Sequence, residues 1–194
     1  MSQFGIFFEL GIKHILNFNG LDHILFVIAF CALYTWRDWN KILVLIVAFT
    51  LGHSLTLALS GTGLIRINSG LVEFLIPLTI LLTALTNIFR KKNSLGSTKI
   101  HLNYLYAAFF GLIHGLGFSN EIRGMLGRGG ELVTQLVAFN LGVALGQIVV
   151  VSLLVLIAGL LIGFLDVSKR EWSLTLSAAI AGMALMLVLE NKYW

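Results

Sequence analysis

The sequence predicts an all-α, polytopic membrane helix bundle of about six transmembrane helices, preceded by an N-terminal interfacial or short helix. Three observations predict it. The chain of 194 residues is 58% hydrophobic, with a mean hydropathy of +0.93. Only 11% of it is charged, against about 25% in a soluble domain. Its apolar residues gather in runs of the length that crosses the ~30 Å hydrocarbon core as a helix. The 20 glycines and single proline fit a packed bundle, because glycine lets helix backbones approach closely.

The elements follow in order. Residues 4–18 are apolar but short for a span. Glu9, Lys13 and Asn17 recur every four residues on one helix face, and glutamate before lysine at that spacing is a favourable pair. An interfacial amphipathic helix fits this segment best, with a further span as the alternative. Spans are expected at 20–33, 42–59, 71–89, 103–118, 132–165 and 173–189. The fifth covers 34 residues, about 50 Å of helix, so it must tilt, protrude or break. Gly142, Gly146 and Gln147 mark a possible irregularity there. Trp36, Trp39, Trp172 and Trp194 stand at span ends, where aromatic anchors sit. Glu9 comes early and no basic residue precedes the first apolar run, so a cleaved signal peptide is not expected. The whole chain, 1–194, reads as a single integral membrane domain.

The net charge of +4 is spread over loops and is a topology signal, with nucleic-acid binding not expected. Loops after spans 1, 3 and 5 hold Arg37, Lys41, Arg90, Lys91, Lys92, Lys99, Lys169 and Arg170. The opposite side holds Lys13, Arg66, Arg123, Arg128 and Lys192. The excess places the first set in the cytoplasm. Cys31 stands alone, which excludes a disulfide framework and a paired-cysteine metal motif. It is expected as a small packed hydrophobe.

Against this apolar background the polar residues stand out. An ionisable group in a bilayer is costly and is kept mainly where it pairs, binds or transports. His53 and His114 lie within spans, Asp22 and His23 at the outer end of the first, and Glu73 at the outer end of the third. Asn140 reaches a similar depth on the fifth span. These depths converge on the outer half of the membrane. His53, Thr56 and Ser60 share a face. Gly111 and Gly115 form a GxxxG pair beside His114. Thr79, Thr83, Thr86 and Asn87 continue inward from Glu73, either lining a path or bonding between helices. Asp22 can also be read as a helix cap, Glu73 as a charge suited to the helix dipole, His14 as interfacial and His101 as a solvated interface residue.

Several segments resemble one membrane family. The run from His14 to Phe26 resembles the histidine, glycine and Asp-His motif of the HupE/UreJ proteins. Residues 49–57 around His53, the third span with Glu73 and Asn87, 110–118 around His114, and 139–147 resemble further family motifs, in order. The match is closer to the second HupE/UreJ subgroup: Gly111 stands where the permeases carry a histidine, and Phe118 where they carry a glutamate. The resemblance implies a bacterial inner membrane location and metal handling by His14, Asp22, His23, Glu73 and His114.

Two chemistries suit this set, to which the residues themselves add His53. One is a permease for a divalent transition metal, since imidazole and carboxylate suit nickel, cobalt and zinc. No GxxxxGK[ST] nucleotide motif is present, so transport would be facilitated or gradient-driven. The other is an intramembrane zinc hydrolase or acyltransferase acting on a lipid or lipid-anchored substrate. There three histidines would hold the metal, with Asp22 or Glu73 as base and Ser54 or Ser119 as hydroxyl. A structural membrane protein with a polar core is the third reading. Expected partners are membrane lipids and a metal ion, with a homo-oligomer possible.

Overall fold

The computed structural model describes residues 2–17, 20–65, 67–90, 100–123, 125 and 130–193, without the side chains of 100, 101, 119–123 and 130. Expectations for the basic loop beyond Arg90, for the side chains of His101, Ser119 and Arg123, and for Arg66, Arg128 and Trp194 lie outside the described residues. Among the described residues there are seven α-helices: α1 (Gln3–Ile15), α2 (Asp22–Cys31), α3 (Trp39–Gly61), α4 (Ser69–Phe89), α5 (Ile100–Arg123), α6 (Gly130–Phe164) and α7 (Lys169–Glu190). No strand occurs among the described residues.

Local chemistry fixes the helix ends. Ser2 accepts from the Gly5 amide at 3.2 Å and starts α1, and Asn68 accepts from the Leu71 amide to start α4. Ser168 and Glu171 form a reciprocal capping box at α7. Gly63, at φ 78°, turns the chain after α3, a conformation that costs glycine nothing. Asp22 is not a cap: α2 begins at Asp22 itself, after Leu21, with no side-chain cap bond.

Among the described residues, four helices are long and apolar enough to cross a membrane: α3 with the turn before it, α4, α6 and α7. In α5 the apolar stretch is shorter, Leu102–Phe118. Outward-facing Val47, Leu51, Leu55, Leu105 and Leu153 are exposed, the arrangement for a surface in contact with lipid. The predicted face of α3 is buried, with His53, Thr56 and Ser60 all inside.

Two expectations are corrected. The segment 20–33 is not a full span, since α2 has only 10 residues, about 15 Å. Nor does α1 lie apart from the bundle. It packs along α6, with Phe7, Gly11 and Ile15 buried. The Glu9–Lys13 pair forms on its outer face at 2.6 Å. Gly11 meets the backbone of Phe139 and Val143, and Gly146 meets Ile12 and Ile15, so α1 and α6 run in the same sense. Further along, Phe26 and Cys31 of α2 share a small cavity with Gln147. Thus α1 and α2 follow each other along α6 as one discontinuous crossing, about 20 and 15 Å of helix.

By contrast, α6 is continuous over 35 residues. Gly142 and Gly146 do not break it. They are where α1 comes close, and a Cβ at Gly142 would strike the Phe8 carbonyl. The same device joins α3 to α5. Gly52 lies against the Ala108 carbonyl, Gly111 against the Phe49 carbonyl and Gly115 against the His53 carbonyl. Small residues at helix contacts permit this approach.

Candidate metal site

The discontinuous crossing brings two histidines together. His14 stands in the last turn of α1 and His23 in the first turn of α2, and their rings are 4.3 Å apart between centroids. Close packing of α3 on α5 brings two more. His53 lies 5.9 Å from His14 and 6.4 Å from His23, and His114 lies 5.2 Å from His23. Both His53 and His114 are fully buried. One ring nitrogen from each of His14, His23 and His53 falls within 4.8 Å of the other two. His23 touches every other ring of the group.

Neighbouring groups leave the right atoms free. The Asn140 amide nitrogen donates to the Leu136 carbonyl at 2.8 Å, and its oxygen faces His53 Nδ1 at 3.4 Å. That oxygen can only accept, which assigns the proton of His53 to Nδ1 and the lone pair to Nε2. The Asp22 carboxylate faces His23 Nδ1 at 3.5 Å and assigns its tautomer in the same way. The Nε2 atoms of His14, His23 and His53 are buried and have no hydrogen-bond partner among the described residues. Orphaned buried nitrogens are costly, and a carboxylate or amide behind a histidine is the usual support of a metal ligand. His114 is arranged in the opposite sense. Thr79 donates its hydroxyl to the Ile76 carbonyl at 2.7 Å, so it accepts from His114 Nε2 at 3.5 Å. Nδ1 of His114 is then the free lone pair.

Aromatic rings enclose the group on two sides. Phe118 lies 4.1 Å from His14 and stacks on Phe139 at 5.1 Å. Phe26 lies 4.7 Å from His114 and Phe49 5.3 Å. Where the permeases carry a glutamate, Phe118 thus supplies a wall and no ligand.

Of the residues singled out in the sequence, the structure unites His14, His23, His53 and His114, with Asp22 beside His23. Glu73 is exposed on α4 and is not in the three-histidine group. The Ser54 hydroxyl donates to the Thr50 carbonyl at 2.6 Å, within its own helix. The polar stripe on α4 bonds partly within its own helix and partly between helices. Thr83 and Thr86 donate to carbonyls one turn back in α4, whereas Thr79 meets His114 of α5 at 3.5 Å and Asn87 donates to the Ala29 carbonyl of α2 at 2.7 Å. Cys31 is buried and free, as expected. Of the enclosing phenylalanines only Phe118 was singled out in the sequence; Phe26, Phe49 and Phe139 are three among 14.

Residues 1–192 match the family model described as HupE / UreJ protein. The chain belongs to the HupE/UreJ family. That family is associated with nickel and cobalt transport. No curated protein and no solved structure matches the chain.

Proposed function

We propose that this HupE/UreJ protein is a bacterial inner-membrane permease for a divalent transition-metal ion of the nickel or cobalt class. One observation carries the reading: His14, His23 and His53 each offer a ring nitrogen within 4.8 Å of the others, and each has a buried Nε2 without a partner among the described residues, at the break of a discontinuous crossing. Broken helices whose ends meet inside the bundle are a recurring way to build a transport site. The backbone at such a break is tolerated because it lines a polar site.

The spacing suits reversible capture. Donors at about 2.0–2.1 Å from one ion stand about 3.4 Å apart in tetrahedral geometry. The three nitrogens all lie within 4.8 Å of one another, close enough for small ring movements to bring them onto one ion. His14 and His23 sit on separate short helices, so a small displacement of either changes their spacing. His114, against His23, offers the next free nitrogen to an ion leaving the triad. The transported ion is cargo, and no nucleotide motif supplies energy, so flux follows the ion or potential gradient.

The hydrolytic reading needs a hydroxyl or a water-activating base at the metal. The Ser54 hydroxyl is engaged by its own helix, and the Asp22 carboxylate is turned to His23. Both observations favour transport. The test is reconstitution in liposomes with an internal metal-sensitive dye. Uptake of Ni²⁺ or Co²⁺ that vanishes in His23→Ala supports the permease. No uptake, together with zinc that stays stoichiometric through purification, rejects it in favour of a metalloenzyme.

A further inference from the structure

We propose that a second site, a cavity between α2, α4 and α5, binds an anionic phospholipid. The cavity encloses about 870 Å³, within the range of small-molecule sites. Its position is the end of the bundle away from the histidines, where α2 and α4 end and α5 begins. The ring of Phe26 separates the two, in contact with His114 at 4.7 Å on one side and with Phe30 of the cavity wall at 4.8 Å on the other. The cavity is therefore not an extension of the metal site, and its ligand does not depend on the permease reading.

The wall selects the ligand class. Most of it is apolar, from residues such as Phe30, Leu85 and Phe110. Thr83 and Thr86 also line it, but their hydroxyls are bonded within α4 and leave methyl groups as the wall. On the outward side Leu82, Tyr106 and Phe109 are about half exposed, so the cavity opens sideways to the lipid. An acyl chain fits such a wall.

Among the described residues the polar end carries one cation, Arg90, and no carboxylate. Arg90 forms no salt bridge among the described residues. Beside it Tyr34 accepts from the Asn103 amide at 3.1 Å, which leaves its own hydroxyl hydrogen for a ligand oxygen. A guanidinium and a phenol O–H at the end of an apolar slot, where α4 stops, match a phosphate at headgroup depth. Basic pockets between membrane helices recognise anionic headgroups in this way. A divalent cation is disfavoured there by the same charge.

The test uses the full chain in detergent, stripped of lipid and read by native mass spectrometry. It receives phosphatidylglycerol or phosphatidylcholine with identical acyl chains. The expected result is that phosphatidylglycerol binds at least about fivefold more tightly, the factor one cation is worth at an anionic surface. Arg90→Gln should erase that preference, and Thr86→Trp, which fills the slot, should weaken both lipids. Lys169→Gln, a basic change on α7 outside the cavity wall, should keep the preference. Equal affinity of the parent protein for the two lipids overturns the proposal, as does a preference that survives Arg90→Gln. The comparison on the parent protein needs no variant, so poor accumulation of any variant leaves the test standing.

Discussion

At the scale of single residues, the free lone pairs set by Asp22, Asn140 and Thr79 are the functional content of the site. Asp22→Asn keeps the size of the side chain and removes the charge behind His23. Loss of a partner of this kind lowers metal affinity about 10–100-fold, and isothermal titration with Ni²⁺ or Zn²⁺ reads it. Ser54→Ala should leave both metal binding and uptake at the parent level, because the hydroxyl it removes serves only its own helix. Loss of function in that variant would revive the hydrolytic reading. His114→Ala should yield a folded, inserted protein with uptake abolished. The void and lost polar contact cost about 1–3 kcal/mol, whereas the step beyond the triad is gone. If accumulation falls, His114→Gln keeps more of the volume and takes its place. Uptake at the parent level would make His114 a packing residue.

At the scale of elements, function rests on glycine contacts that hold the histidine-bearing helices at backbone distance. Gly142→Leu places a side chain into the Phe8 carbonyl and the Ile12 amide and must push α1 away from α6. His14 then leaves the triad while α3 and α5 keep their contact. The expected outcome is metal affinity reduced to that of His14→Ala, measured by the same titration. Gly159→Leu, on the same helix with open space around it, should behave like the parent. Long spans were legible in the sequence because their apolar runs exceed the membrane thickness, and the buried face of His53, Thr56 and Ser60 followed from helical spacing. The division of the first crossing into α1 and α2 was not legible. The segment 20–33 read as a short span of its own, and Glu9 with Lys13 made α1 look interfacial. Its inward face reveals itself only beside Gly142 and Gly146, which in sequence suggested a broken α6.

At the scale of the whole molecule, the discontinuous crossing and five further helices give six passes, so both termini are expected on one side. The positive-inside rule puts residues 90–99 in the cytoplasm and the histidine group in the outer half. A cysteine introduced at Ser97 should resist a membrane-impermeant maleimide added to intact cells and react after lysis. External labelling would invert the orientation and turn uptake into efflux. Convergence of the histidines was legible from their depths, whereas the exclusion of Glu73 from the triad was not, because depth says nothing about which way a side chain faces round its helix. The most direct test of the central claim is X-ray absorption on purified protein carrying one equivalent of Ni²⁺, Co²⁺ or Zn²⁺. Three imidazole nitrogens at about 2.0–2.1 Å are predicted for zinc, with imidazole scattering lowered by His14→Ala, His23→Ala and His53→Ala each. A spectrum of oxygen ligands alone, or an imidazole signal unchanged when all three are replaced, would contradict it.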